Sequence, residues 1–438
     1  MLLSGWGRYP RAECVVEKPS ELAQININAS KKLIARGMGR SYGDSSLQPL
    51  LTIDTSKLDK ILNLDEAKGT ISVQAGMTIV ELIKTIVPKG WFLPVTPGTK
   101  FVTIGGMVAS DVHGKNHHID GSFGNHVISF KIIDAAGQEV FCSPKENPSI
   151  FWATIGGMGL TGIITSVSFN LIPIETSYIK QEVKVATSLD SAMKQLAECH
   201  SSTYSVAWID CLAKGAKKGR SIIYTGEHIK SDDLPAAQRQ TPFVKIKKSW
   251  LKIPFPFPTW ILNNFSIRVF NSVYYFLNTI KKPSQTTIDK FFYPLDGLHN
   301  WNLIYGKNGF IQYQIVLPVE KSSKGLNEII DKLAEFKSAP FLAVLKLMGE
   351  KNEGYLSFPR KGFTLAMDIP YNKNNLKLLE NLDEIVLKYS GQIYLTKDSR
   401  LSAEMFRKTQ PNLKKFTQLR EKNDLNKFSS MQSERLGL

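Results

Sequence analysis

Cysteine is scarce and scattered in this 438-residue chain: Cys14, Cys142, Cys199 and Cys211 form no CxxC pair and no close-spaced framework. That spacing argues against a zinc cluster and against a small domain stapled by disulfides, and it suits a reducing compartment. Long apolar runs are missing too. No window approaches the roughly 18 uninterrupted apolar residues that a membrane-crossing helix needs. The start, MLLSGWGRYPRAEC, has no sustained apolar stretch behind a basic head, so no secretory signal is read there. No low-complexity tract and no fixed-period repeat is present. These absences predict a protein that is cytoplasmic or peripheral at the inner membrane surface.

Acidic residues are also in deficit, 39 against 55 Lys and Arg, for a net charge of +16. Such a surplus invites anionic partners: nucleic acid, anionic lipid or a phosphorylated substrate. Local concentrations at 214–220, 245–252 and 414–422 are spread along the chain. That spread describes a generally basic surface, and no nucleic-acid partner is expected from it.

The length favours two domains. Up to about residue 175, short β-type runs alternate with glycine-rich turns. KKLIARGMGRSYGDSSL reads as a strand ending in a loop, and GTISVQAGMTIVELIKTIVPKGWFLPV as strand, helix, strand. Its helix starts at Thr78 with Val80, Leu82, Ile83 and Ile86 on one face. HVISFKIIDAAGQEVFCSP reads as a hairpin through Ala136 and Gly137. Beyond 175 come strands in TYSVAWIDCL, FIQYQIVLP, FLAVLKLMG and FTLAMDIPY, with helices at 323–337 and 374–389. This pattern predicts an α+β protein whose second half is an antiparallel or mixed sheet backed by helices. A final helical, basic segment follows YLTKDSRLSAEMF.

Four of the seven histidines fall in ASDVHGKNHHIDGSFGNHV: His113, His117, His118 and His126. His113 and His117 stand four apart, but Gly114 follows the first where a zinc-helix motif has Glu, and no carboxylate or cysteine completes a shell. No metal is expected, and His126 reads as a residue that satisfies loop backbone. GMGLTG at 157–162 matches G-x-G-x-x-G literally, yet helix-like residues precede it and a strand follows, the reverse of a Rossmann turn. ARGMGRSYGDSS is more informative. Bare amides at Gly37, Gly39 and Gly43, with Ser41, Ser45 and Ser46, can wrap an anion, and Arg36 and Arg40 add charge. TPGTKFVTIGGMVASDVHG and GSFGNHV add two further small-residue loops. Three of them in one domain point to a long ligand lying against backbone, as a dinucleotide does.

These loops, with YSVAWIDC, GFIQYQIVLP, LAVLKL, LSFP and YLTKDSRLSAEMF, resemble the vanillyl-alcohol oxidase/p-cresol methylhydroxylase superfamily of FAD proteins. The likeness runs along nearly the whole chain and is weakest over 213–288. It implies a two-domain FAD-binding fold: residues 1–175, with 393–438 returning to them, hold the cofactor, and 176–392 bind substrate. The implied cofactor residues are Ala35, Arg36, Gly37, Met38, Gly39, Arg40, Ser41, Tyr42 and Gly43, the loop running on to Ser45. Gly98, Thr103, Ile104, Gly105 and Gly106, then His113, Gly114, Lys115 and Asn116, and finally Ile163 and Tyr394 complete the set. Arg40-Ser41-Tyr42 stands where covalently flavinylated members often carry histidine, so noncovalent FAD is expected.

Within the superfamily the motifs resemble enzymes that oxidise the 2-hydroxyl of a polyprenyl-phosphate-linked pentose, the first half of an epimerisation that a separate NAD(P)H-dependent reductase completes. The resemblance places Lys397, Gln314, Lys346 and Tyr42 around the sugar and His113 and Lys115 near the flavin. Lys397 is a candidate either as base or as stabiliser of developing negative charge. Ala366 stands where a cysteine is common, Thr364 where asparagine is usual, and Phe292 where tyrosine is frequent. The missing thiol predicts resistance to inhibitors that bond to it. A soluble sugar, alditol or aldonolactone oxidase is the alternative enzyme, and a redox-inactive basic binding protein is the alternative of another class. The segment 243–284, with Trp250, Phe255, Phe257, Trp260, Phe265, Tyr274, Tyr275 and Phe276 among lysines, reads equally as a lid or as a contact with a bilayer surface.

Overall fold

The computed structural model describes residues 1–245, 249, 251–258 and 260–438. Trp250, one of the aromatics expected at a bilayer, lies outside the described residues. Among those described, no helix is long and apolar enough to cross a membrane.

The first 175 residues build four small sheets, two of them only two-stranded: Leu2–Ser4 with Arg11–Glu13, and Trp91–Phe92 with Ile172–Pro173. Strands Val16–Glu17, Thr52–Asp54 and Ile34–Arg36 pair in parallel, with Thr52–Asp54 central. An antiparallel five-stranded sheet runs Glu139–Cys142, Val127–Ile133, Ile163–Asn170, Thr70–Gln74, Ile61–Asp65. Its first two strands form the hairpin expected through Ala136 and Gly137. Helix Ile79–Ile86 is capped by Thr78, whose hydroxyl accepts the Glu81 N–H. Its buried stripe is Ile79, Leu82, Ile83 and Ile86. Val80, expected on that face, is only half-buried, because the first turn presents Ile79 to the core.

The second half is organised by one antiparallel eight-stranded sheet in the order Ser284–Thr287, Tyr178–Ala186, Ser221–His228, Tyr204–Ile209, Ala343–Met348, Gly362–Pro370, Phe310–Leu317, Gln392–Ile393. Side chains alternate across a strand, and here the alternation divides structure from chemistry. Ile311, Tyr313, Ile315 and Leu317, with Phe363, Leu365, Met367 and Ile369, belong to the core shared with helices Leu189–Glu198, Val319–Glu335 and Lys373–Lys388. Their neighbours Gln312, Gln314, Ala366, Val344 and Lys346 point the other way, into a cavity. Helix Val319–Glu335 begins four residues before its expected start, directly after Pro318, which holds the N-cap position.

The C-terminal segment, helices Ala403–Thr409, Leu413–Lys422 and Met431–Leu436, packs onto the opening strands. Leu33 N–H donates to Lys427 O and Ser429 N–H to Leu33 O, each at 2.9 Å. Arg435 bridges Asp44 (2.8 Å) and Asp398 (2.9 Å), carboxylates whose side chains are each 3% exposed. Burial pushes both carboxyls up. At Asp398, Arg435 and the N–H groups of Arg400 and Leu401 outweigh burial and hold the carboxyl below its usual range. At Asp44, burial wins and the carboxyl stays raised. Arg435→Ala therefore leaves two buried carboxylates without their cation and is expected to cost about 3–5 kcal/mol at pH 7. The loss shrinks as the pH falls and the carboxylates take up protons. Thermal unfolding of both proteins at pH 7 and pH 5 measures it.

Candidate active site

A cavity of about 740 Å³ lies between the glycine-rich loops and the polar face of the eight-stranded sheet. That volume is within the range of cofactor and small-ligand sites. The first loop leaves strand Ile34–Arg36 and turns at Gly39, whose φ of +60° favours glycine. A Cβ there would stand 2.2 Å from Nη2 of Arg36. Arg36 folds back under this turn and donates to Ser4 O (2.8 Å) and Ser46 Oγ (3.1 Å). Its charge braces the loop and does not line the cavity, contrary to expectation. Ala35, Gly37, Met38, Gly39, Arg40, Ser41 and Tyr42 do line it. Gly43 does not: a Cβ there would lie 2.0 Å from Asp398 O, so it allows the loop to meet the 394–399 turn. The backbone seals that junction with Tyr42 N–H to Thr396 O at 2.9 Å.

From the second loop, Gly98, Thr103, Gly105 and Gly106 line the cavity. Thr103 caps helix Ile104–Ala109 by accepting the Gly106 N–H at 3.2 Å. Ile104 is fully buried in the core instead. From the third, His113, Gly114 and Lys115 face the cavity. Asn116 turns away to Pro94 O and Asp120, both at 2.7 Å. Ile163 is packed in the core, and its neighbours Gly162 and Ile164 line the cavity in its place. Met158, Gly159 and Gly162 of GMGLTG contribute wall as well, a lining role that its strand-last context had hidden.

The histidine cluster resolves into different duties. His117 Nδ1 accepts the Gly349 N–H (3.0 Å), His118 bonds Ser202 O (2.9 Å) and His126 bonds Asp120 O (2.8 Å). All three serve backbone. Only a single turn, His117–Asp120, is helical between Gly114 and Gly121. No group of His, Cys, Asp and Glu suited to a metal exists among the described residues. His113 faces the cavity, with Gln314 Nε2 donating to its Nε2 at 2.9 Å. Burial, and then the charges of Lys346, His117 and Lys397, keep its ring neutral, far below the usual imidazole range.

Three lysines converge on the same space. Lys346 Nζ donates to Gly114 O at 3.3 Å, and burial lowers it to about 8. Lys115 Nζ donates to Phe291 O, and burial followed by repulsion from Lys346 lowers it to about 7. Lys397 Nζ stands 4.0 Å from the centre of the Tyr42 ring. Burial lowers it to about 7, with Lys346 adding to the drop and Asp368 opposing it. Tyr394 lines the wall and donates to Ser110 O at 2.8 Å. Ala366 and Phe292 are wall residues, and Thr364 stands behind, its Oγ1 accepting from Gln314 Nε2 at 3.2 Å.

Sequence reasoning missed Gln312, Asp296 and Trp6, and of the aromatic end formed by Trp208, Tyr224, Phe270, Tyr274 and Phe341 it named only Tyr274, in the segment read as lid or bilayer contact. One signal was available: Gln312 and Gln314 are the two amides at alternate positions of an otherwise apolar strand.

An FAD binding domain family matches residues 14–143. Decaprenylphosphoryl-β-D-ribose oxidase of Mycolicibacterium smegmatis is 35% identical over 433 residues, covering 96% of this chain and 94% of that protein. The chain belongs to the decaprenylphosphoryl-β-D-ribose oxidase family. L-gulonolactone oxidase of Mus musculus is more distant, 26% identical over 181 residues and 40% of each chain. A variant of BBE-like 1 from Physcomitrella patens shares the fold with a TM-score of 0.65 at 15% identity, over 94% of this chain and 89% of that one. As a member of the decaprenylphosphoryl-β-D-ribose oxidase family, the protein is an FAD-dependent oxidoreductase of α+β architecture.

The walls fit that cofactor. Residues without side chains line one side, and Arg40 Nε and His113 Nδ1 are buried there without a hydrogen-bond partner among the described residues. A Cβ at Gly98 meets nothing within 4 Å. Gly98→Phe is therefore expected to fold normally while filling cofactor space. FAD content, read from the visible spectrum of the purified protein, should fall at least about tenfold, a change of about 1.4 kcal/mol, with far-ultraviolet dichroism unchanged.

Proposed function

We propose that this oxidase converts the 2-hydroxyl of a polyprenyl-phosphate-linked pentose to a ketone, and that a separate NAD(P)H-dependent reductase consumes the product. In this reading residues 1–175 with 393–438 hold FAD, bound without a covalent link, and 176–392 hold the sugar lipid. The observation that carries it is the grouping of Lys397, Lys346, Gln314 and Tyr42 on one cavity that runs on to the aromatic wall of Trp208, Phe270, Tyr274 and Phe341. The polar part suits a phosphorylated sugar, and the aromatic part suits the start of an isoprenoid chain.

Bound FAD supplies the two-electron acceptor that takes a hydride from the substrate carbon. The chain supplies the rest. With its pKa lowered to about 7, Lys397 has an appreciable neutral fraction near neutral pH and can accept the hydroxyl proton. The ammonium so formed is seated on the face of the Tyr42 ring. Lys346 supplies positive charge for the phosphate, and Gln314, held by His113 and Thr364, offers a fixed amide to the sugar. Rapid-mixing reduction of the flavin by decaprenyl-phosphoryl ribose should rise with pH through the Lys397 pKa. In Lys397→Ala it should slow by a factor of about 10² or more. Equal reduction by free pentose would identify a soluble sugar oxidase instead.

Peripheral membrane contact belongs to the same proposal. Between Asp233 and Asp289 the sequence has no acidic residue. Helix Asn264–Thr279 is inverted relative to a soluble helix. Beside the buried Ile267 its inner face carries polar groups: Asn271 donates to Asp210 (2.7 Å), and Tyr224 bonds both Tyr274 (2.7 Å) and Asn278 (2.8 Å). Tyr274 and Tyr275 turn inward, unlike Phe255, Trp260, Phe265 and Phe276. Outside, Phe265 (77% exposed), Val269, Val273, Phe276 (65%) and Ile280 make a continuous apolar stripe. Phe255 and Trp260 are exposed beside it. An apolar stripe within a wholly basic segment suits an anionic bilayer. In flotation assays the protein should rise with anionic vesicles and less with zwitterionic ones. Replacing Phe265, Val269 and Phe276 by serine should abolish the binding without loss of FAD.

A further inference from the structure

Behind the cavity wall lies a carboxylate with no part in the chemistry above. Asp368 projects from strand Gly362–Pro370 on the cavity side of the sheet and is fully buried. Its hydrogen-bond donors are both neutral: Gln312 Nε2 to Oδ1 at 2.5 Å and Tyr305 Oη to Oδ2 at 3.0 Å. An ionised carboxylate only accepts, so the Gln312 amide must turn its nitrogen toward Asp368. That nitrogen has a second proton, and it is given to Tyr42 Oη at 3.2 Å. With its oxygen engaged as acceptor, the Tyr42 hydroxyl is left to donate its own proton elsewhere. The ring that it terminates is the one over which Lys397 Nζ sits, 4.0 Å from the centre.

We propose that Asp368 is a positioning residue of the oxidation, acting through Gln312 to fix the Tyr42 ring and the direction of its hydroxyl, and through space to set the strength of Lys397 as a base. This rests on the reading of Lys397 as the proton acceptor. The geometry explains why a buried charge is tolerated with only neutral donors: beyond Gln312 and Tyr42 stands the one group that becomes cationic during turnover. Burial raises the Asp368 carboxyl to about 6, while Gln312, Tyr305 and then Lys397 hold it lower than burial alone would. Reciprocally, Asp368 opposes the drop that burial and Lys346 impose on Lys397. The titratable and charged groups facing this network are Tyr305, Tyr42, Lys397 and Lys346, with Arg40 and Asp296 acting on Tyr42 from the loops.

The sign follows from electrostatics. Removing the negative charge makes the ammonium of Lys397 less stable, so its pKa falls. In Asp368→Asn the acid limb of the flavin-reduction rate should move to lower pH by about one unit, a tenfold change in the amine–ammonium ratio. The plateau rate should drop because the base is weaker, with KM little changed. Tyr305→Phe lies outside the cavity wall and leaves the carboxylate in place with one donor fewer. It should raise the Asp368 pKa and shift the limb in the same direction by less.

A substrate-free readout separates this inference from the reading on which it rests. In the FAD-loaded proteins, the pH dependence of Lys397 labelling by fluorodinitrobenzene, followed by peptide mass spectrometry, reports the Lys397 pKa directly. A lowered value in either variant supports the coupling. Wild-type values in Tyr305→Phe, and in Asp368→Asn where it folds, overturn it whether or not the lipid-linked pentose is turned over. Should the wild-type flavin fail to be reduced by that substrate, the functional reading falls while the labelling still decides the role of Asp368.

Discussion

Arg435, lodged between Asp44 and Asp398, holds together the two segments on which the site depends. Asp44 ends the first glycine-rich loop, which delivers Tyr42, and Asp398 follows Lys397 in the turn that delivers the lysine. The N–H of Tyr42 bonds Thr396 O, and Gly43 lets the two backbones approach without a side chain between them. The seat of Lys397 on the Tyr42 ring is thus fixed by a buried ion triad that lies in the last and first parts of the chain. Buried charges of this kind are stable only when fully partnered, and that requirement makes the junction an all-or-none feature of the fold.

The same physics governs the cavity itself. Three lysines share an interior space, and burial lowers all of them toward neutrality, with repulsion from Lys346 adding to the drop at Lys115 and Lys397. An anionic ligand answers this arrangement directly, since a phosphate or a reduced flavin supplies the opposing charge and hydrogen-bond acceptors that burial withheld. The eight-stranded sheet makes it possible to place such groups. One face is largely apolar against three helices and supplies stability, so the other is free to carry amides, a lysine and a hidden carboxylate. The aromatic residues at the far end extend the cavity toward helix Asn264–Thr279, whose apolar side faces outward. Sugar, phosphate and isoprenoid can thereby each meet a surface of matching polarity along one path.

Much of this was legible without coordinates. The three small-residue loops, the strand FIQYQIVLP and the hairpin at Ala136 and Gly137 are local properties, set by turn chemistry and side-chain alternation. The resemblance carried the cavity residues Tyr42, His113, Lys115, Gln314, Lys346, Tyr394 and Lys397 from motif to position, and the structure gathers all of them on one space. Where expectation and structure part, the reason is direction. Arg36, Gly43, Ile104, Asn116 and Ile163 sit in the right motifs but point into a brace, a backbone junction, the core, a loop and the core again. A motif names a neighbourhood, while φ, ψ and packing choose which neighbour faces the ligand.

By itself the sequence determined the class of ligand, because bare backbone and fixed charge are written residue by residue. It likewise determined several strands and helices, since hydrophobic period is a local signal, but strands Tyr178–Ala186 and Ser221–His228 and helices Leu189–Glu198 and Asn264–Thr279 went unread. Only the tertiary structure decided that Asp368, Gln312 and Tyr42 make one line, that Arg435 locks residues 391 and 37 positions away, and that a helix would turn its apolar side outward. Those facts depend on contacts between segments far apart in the chain, and no local pattern encodes the distance across which two charges will meet.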